Sequence, residues 1–248
     1  MNSLTSPLFV RARRALVLLC LTTFSWSAHA ATSDFRSLFN GKDLAGWKGD
    51  LSFWSVRDGT ITGETTTEHP TKGNTFLVWQ GGAVKNFELR AEFRLVARND
   101  KNFANSGIQY RSRMVEPDNW VVAGYQADMD GGGKYVGMLY EEKGRGILAL
   151  PGQQVRISAG GEKPQIEITG ATAPAPDIAA ANRPGEWNEY IIIAEGNHLR
   201  HFINGRPTAD ITDLDEAKSA KSGVLALQLH AGPPMLVQFR NIQLKTLP

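Results

Sequence analysis

Phe87-Glu88-Leu89-Arg90-Ala91-Glu92-Phe93-Arg94-Leu95 places apolar side chains at every odd position and charged ones at every even position. Successive side chains of a β-strand point to opposite faces, so this pattern describes a strand with one buried and one wet face. That is the signature of an antiparallel sheet packed on one side only. Working outward, short segments of the same period recur at 53–57, 60–63, 76–79, 106–113, 124–129, 135–140, 153–158 and 165–169. Four more follow at 189–194, 199–203, 223–230 and 236–245. Gly196-Asn197 and Asn204-Gly205 fall between neighbouring segments and tolerate the positive φ that tight hairpins demand. Many short strands separated by Gly-, Asn- and Pro-containing turns predict an all-β fold, two packed antiparallel sheets in a sandwich or jelly roll. Residues 170–184, rich in Ala and Pro, read as a surface loop, and 214–221 as a short helical turn.

The first thirty residues read differently. Arg11, Arg13 and Arg14 precede the apolar run 15–24, and Ala28-His29-Ala30 offers a small-x-small cleavage site, the layout of an export signal. Residues 1–30 are therefore expected to leave, with 31–248 as a single domain in the periplasm or outside the cell. The apolar run is shorter than the ~20 residues a membrane-spanning helix needs, and no later segment approaches that length. Cys20, the only cysteine, lies within the signal, so the mature chain is expected to carry neither disulfide nor thiolate nucleophile. Without the three leader arginines, 24 basic residues face 25 acidic ones. No basic stripe remains, which argues against a nucleic-acid partner.

Strand parity also sorts the polar residues. In Val224-Leu225-Ala226-Leu227-Gln228-Leu229-His230 the leucines point to one face, and Gln228 and His230 to the other, about 7 Å apart. The same reading puts Gln109, Arg111 and Arg113 on one face of their strand, and Gln126 and Asp128 on one face of theirs. A sheet face bearing Arg, Gln, Asp and His offers the dense pairing of donors and acceptors that sugar hydroxyls require; the plainer reading is a solvated face. Trp47, Trp54 and Trp187 read as core, whereas Trp79 and Trp120, near strand ends, could offer a flat surface to a sugar ring. His198 and His201 read as surface residues. No metal-ligand spacing, Gly-x-Ser-x-Gly elbow, P-loop or dinucleotide fingerprint occurs. Gly131-Gly132-Gly133 follows a strand and opens no helix, so it reads as a loop.

Leu38-Phe39-Asn40-Gly41-Lys42-Asp43-Leu44-Ala45-Gly46-Trp47 resembles the opening motif of the 3-keto-disaccharide hydrolase family. Asn105-Ser106-Gly107-Ile108-Gln109-Tyr110-Arg111-Ser112, Gly124-Tyr125-Gln126, Gly185-Glu186-Trp187-Asn188-Glu189-Tyr190 and Leu227-Gln228-Leu229-His230-Ala231-Gly232 continue the resemblance in order. The wording from Tyr135 to Thr169 departs from the family pattern. The resemblance implies a concanavalin-A-like jelly roll and cleavage of glycosides whose sugar is a ketone at carbon 3. It also implies a small carbohydrate substrate, oxidised beforehand by a separate oxidoreductase. Such a ketone acidifies the hydrogen on carbon 2; its removal expels the carbon 1 substituent, and water then adds across the double bond. On the residues quoted, Asp128 or His230 is expected as base and Arg111 as holder of the oxyanion. Gln109, Gln126, Gln228, Glu64 and Trp120 are expected around the sugar. An alternative gives Asp128 and His230, with Glu64, to a divalent cation that polarises the ketone. The rival to catalysis is a lectin-like binding module, since the same sandwich serves both.

Overall fold

The computed structural model describes residues 34–248, so the expected leader at 1–30 lies outside the described residues. The strands run in order β1 (Arg36–Ser37), β2 (Trp47–Lys48), β3 (Trp54–Arg57), β4 (Thr60–Glu64), β5 (Thr75–Trp79) and β6 (Phe87–Ala97). Next come β7 (Asn105–Glu116), β8 (Val121–Asp130), β9 (Leu139–Glu142), β10 (Gly146–Ala149), β11 (Gln153–Ser158) and β12 (Gln165–Ala171). After the helix α1 (Ala175–Ala181) the chain ends in β13 (Asn188–Glu195), β14 (His198–Ile203), β15 (Arg206–Asp213), β16 (Val224–Leu229) and β17 (Met235–Thr246).

A ten-stranded sheet carries the order β12-β11-β15-β14-β13-β6-β17-β4-β3, with β1 beside β17; a seven-stranded sheet runs β10-β9-β8-β7-β16-β5-β2. The alternating strand that opened the sequence analysis is β6, in the middle of the larger sheet between β13 and β17. Its Phe87, Leu89 and Phe93 are buried against Ile108, Tyr110, Tyr125 and Leu227 of the smaller sheet, which form the core between the layers. Burial of such side chains contributes roughly 1.5–3 kcal/mol each. The sandwich is as expected, with one refinement: β11 and β15 pair in parallel.

Four local expectations change. The Ala-rich stretch forms α1, entered through Pro174 and Pro176 and pinned by the buried Ile178, while 214–221 folds as turns and not as a helix. Trp187 is only half-buried, its ring flanked by Arg240 at 4.0 Å and Arg94 at 5.3 Å outside the core. His201 is fully buried between the sheets, with the hydroxyls of Tyr110 and Tyr190 3.0 and 3.4 Å from its two ring nitrogens. Burial pushes its pKa down to about 4, so the imidazole is neutral at pH 7.

Two features shape the outer face of the smaller sheet. Arg111 sits at φ 48° in a bulge of β7, where the register against β8 jumps between Tyr110 and Arg113. Beyond it, the hairpin of β7 and β8 arches over β16, and the Trp120 carbonyl accepts a hydrogen bond from Phe76 N on β5 at 3.0 Å. Val121 and Val122 of this arm, with Met114 and Trp120, cover Phe76, Val78 and Ala226, a second and smaller apolar cluster.

Candidate functional site

β7, β8 and β16 lie side by side, which brings Gln109, Gln126 and Gln228 together on the outer face, as parity predicts. They are fully buried and bond to one another instead of opening to a ligand. Gln109 Nε2 and Gln228 Nε2 both donate to Gln126 Oε1, at 2.7 and 2.8 Å, and the Ser112 hydroxyl donates to Gln109 Oε1 at 2.7 Å. Gln126 Nε2 then donates to Asp128 Oδ1 at 2.8 Å, and Asn105 Nδ2 to Asp128 Oδ2 at 3.3 Å. Each amide is fixed by its neighbour, so the lattice has one orientation throughout. Its open position is Gln228 Oε1, buried without a hydrogen-bond partner among the described residues.

The lattice ends in a residue that parity reasoning passed over. Gln228 Nε2 also reaches Glu142 Oε2 at 3.3 Å, and Asn74 Nδ2 reaches the same oxygen at 3.3 Å. Asn74 Oδ1 accepts from Ala231 N at 3.0 Å, which ties the turn after His230 to the Glu142 carboxyl. Glu142 faces Gly124 across the strand pair. The available signal was the alternation of Leu139-Tyr140-Glu141-Glu142, which sends one of two adjacent acids to each face.

Burial raises the Asp128 pKa from 3.8 to about 7, the amides of Gln126 and Asn105 offsetting it only in part. Burial also raises Glu142, against the opposing pull of Asn74, Lys143 and Gln228. His230 is pushed down by burial, so its ring is neutral; it packs edge-on against Phe103 with centroids 5.5 Å apart. Glu142 alone of the two carboxyls borders an open cavity, of about 810 Å³. Phe53, His69, Trp120, Asn74 and Lys143 also line it, and Phe53 stacks on His69 at 4.3 Å. Trp120 is held at φ 53°, a left-handed conformation that costs a bulky residue about 1–2 kcal/mol, by the turn Pro117–Asn119 and the bond to Phe76. Trp120, expected to offer a flat surface to a sugar ring, stands in the wall of this cavity.

Two expected members stand elsewhere. The bulge turns Arg111 off the face of Gln109, and its guanidinium donates to the carbonyls of Lys85 at 2.7 Å, Gly196 at 2.6 Å and Ala220 at 3.3 Å. Ser112 takes the place beside Gln109 that alternation gave to Arg111. Glu64, at the end of β4 in the other sheet, is drawn into ion pairs with Arg57 and Arg98. A cation held by Asp128, His230 and Glu64 therefore lacks its third ligand, and both Asp128 oxygens already accept amide hydrogens. No cluster of three or more His, Cys, Asp or Glu with the spacing of a metal site occurs among the described residues.

A two-layer sandwich of two such sheets is a concanavalin-A-like fold. Residues 34–245 match the 3-keto-alpha-glucoside-1,2-lyase-like domain, and the chain belongs to that family. No curated protein matches the chain. Among solved structures, a candidate glycosyl hydrolase from Parabacteroides distasonis is 20% identical at a TM-score of 0.55, covering 86% of this chain and 94% of that one. A galectin-like protein of unknown function from Bacillus subtilis is 10% identical at 0.52, covering 82% and 90%. The Bacillus subtilis carbohydrate binding module CBM66 is 13% identical at 0.50, covering 81% and 96%. At these identities the likeness is one of fold.

Proposed function

We propose that this protein cleaves glycosides whose sugar is oxidised to a ketone at carbon 3. The reading rests on one observation: Glu142, a carboxyl whose pKa is raised by burial, borders a sugar-sized aromatic cavity in a chain of the 3-keto-glucoside lyase-like family. A carboxylate becomes a stronger base as its pKa rises, and burial moves Glu142 in that direction. Glu142 takes the proton from carbon 2, the electron pair forms the double bond to carbon 1, and the carbon 1 oxygen leaves with the proton that Glu142 returns. Water then adds its hydroxyl to carbon 1 and its hydrogen to carbon 2, which completes hydrolysis. Lys143, bordering the same cavity and joined to Glu116 only by an exposed ion pair at 3.4 Å, is the cation proposed for the enediolate oxygen in place of Arg111. Asp128, behind the lattice, fixes the amides that hold Glu142, and His230 is held beside it through Asn74 and Ala231. The ketone requires a separate oxidoreductase, and the reaction is proposed to run in the periplasm or outside the cell, in keeping with the export signal read at residues 1–30.

The experiment incubates purified protein with a 3-keto disaccharide and its unoxidised parent, with and without chelator, following free sugar by chromatography. Release from the ketone alone is expected, unchanged by chelation because Glu64 is committed to arginines. Glu142→Gln is expected to lower turnover at least ~100-fold with an unchanged circular dichroism spectrum. Binding of sugar without release would make the protein a lectin-like module, and restoration of activity by a divalent ion would return Asp128 and His230 to metal ligation.

A further inference from the structure

A second cavity, of about 450 Å³, opens where the turn 143–145 meets residues 217–222. Glu142 and Lys143 border it as well as the aromatic cavity, so the proposed proton-transfer group stands on the boundary between two chambers. A glycoside whose scissile bond lies at Glu142 has its sugar on one side of that boundary and its leaving group on the other.

The charges around the second chamber are unequal. Arg111 is in its wall, 2% exposed, and its donors meet only neutral acceptors, the three carbonyls already described and Asn86 Oδ1 at 3.3 Å. Among the described residues no carboxylate pairs with it. Arg113, two positions on, is exposed at the same cavity and makes neither an ion pair nor a side-chain hydrogen bond among the described residues. Lys218 borders the opposite wall with a single 3.5 Å contact to the Gly161 carbonyl. Arg145 is occupied by Glu141 and Asp213, with Asp215 behind it at 3.7 Å, and Lys143 leans on Glu116 at 3.4 Å. Arg111, Arg113 and Lys218 are then left facing Glu142 and Glu162. A buried guanidinium without a counter-ion favours an anion nearby through its charge, while the direct contacts fall to Arg113 and Lys218, because the donors of Arg111 are committed to neutral acceptors.

We propose that this second chamber receives an anionic group, in the simplest case a carboxylate, carried by the leaving half of the glycoside and recognised by Arg113 and Lys218 over the Arg111 wall. The proposal rests on the reading of Glu142 above for the position of the cleaved bond, whereas the recognition of charge is testable without cleavage. Calorimetric titration compares 4-carboxyphenyl glucoside with its uncharged 4-carboxamidophenyl analogue on the intact protein. The acid is expected to bind about tenfold tighter, the effect of one charge-assisted hydrogen bond. Its advantage is expected to shrink with added salt and to vanish in Arg113→Ala/Lys218→Ala. Both side chains reach solvent, so the double variant keeps its fold and its binding of the neutral analogue. Equal affinity for the two probes, no binding of either, or an advantage that survives the double substitution would overturn the proposal. Cleavage of a neutral 3-keto glucoside reports separately on the catalytic reading: a failure there with the charge preference intact sinks the mechanism and leaves the anion site standing.

Discussion

Replacement of Asp128 by Asn removes a carboxyl that the fold prefers uncharged. A pKa of 3.8 in the unfolded chain and about 7 in the native state means that ionisation opposes folding. Below pH 3.8 the group is protonated in both states and contributes no penalty; from there to pH 7 the native state holds the proton more tightly, so stability falls as pH rises. Above pH 7 the loss is complete, at roughly 4 kcal/mol from ~1.4 kcal/mol per pKa step. Asn keeps the shape and one acceptor, but turns its amide hydrogens towards one of the donors from Gln126 and Asn105, a mismatch of about 1–2 kcal/mol. Asp128→Asn is therefore expected to be more stable than the parent by roughly 2–3 kcal/mol at pH 8.5 and less stable by about 1–2 kcal/mol at pH 4. Urea denaturation from pH 4 to 8.5, followed by tryptophan fluorescence, measures the difference. A parent whose stability, relative to the variant, stays flat or climbs between pH 5 and 8 would refute the buried, proton-holding Asp128.

Arg145→Met leaves Glu141, Asp213 and Asp215 without their shared guanidinium in the interior; a loss of about 3–5 kcal/mol is expected in urea unfolding at pH 7, and a loss below about 1 kcal/mol would deny the clasp. Trp120→Gly suits the left-handed backbone at that position while deleting the indole. Its unfolding midpoint is expected to change little, and its KM for a 3-keto glucoside to rise roughly tenfold, in keeping with ~1.5 kcal/mol for an aromatic contact. An unchanged KM would remove Trp120 from the sugar site.

The fold was legible because its signal is local. The alternation in β6 and the Gly-Asn and Asn-Gly turns each report on neighbouring residues, and the core of Phe87, Leu89 and Phe93 follows from them directly. The site was legible only as far as strand parity holds. Gln109, Gln126, Asp128 and Gln228 meet as alternation requires, but Arg111 does not, because one residue at positive φ shifts the phase of everything after it. Nothing in the wording of Gln109-Tyr110-Arg111-Ser112 announces that bulge. Glu142 depended on which of two adjacent acids faces the lattice, a question of register between strands far apart in sequence. His201 was misread as a surface residue because it is buried among residues distant in sequence, Tyr110 about ninety positions away among them. Glu64 was assigned by its residue type, and its arginine partners are Arg57 at the end of β3 and Arg98 just past β6.

The arm formed by the hairpin of β7 and β8 bears on how this architecture could diversify. Its tip roofs the outer face without contributing to the main core, and it meets the rest of the sheet through a small apolar cluster, a backbone bond at Phe76 and an exposed ion pair of Glu116 with Lys143. Lengthening or trimming that tip would remodel the mouth of the aromatic cavity at little expense to the sandwich beneath. Under the function proposed above, acceptance of bulkier or more compact sugars would be retuned in the arm while Glu142 and its amide lattice stay in register, a separation of recognition from chemistry that suits both natural drift and laboratory redesign.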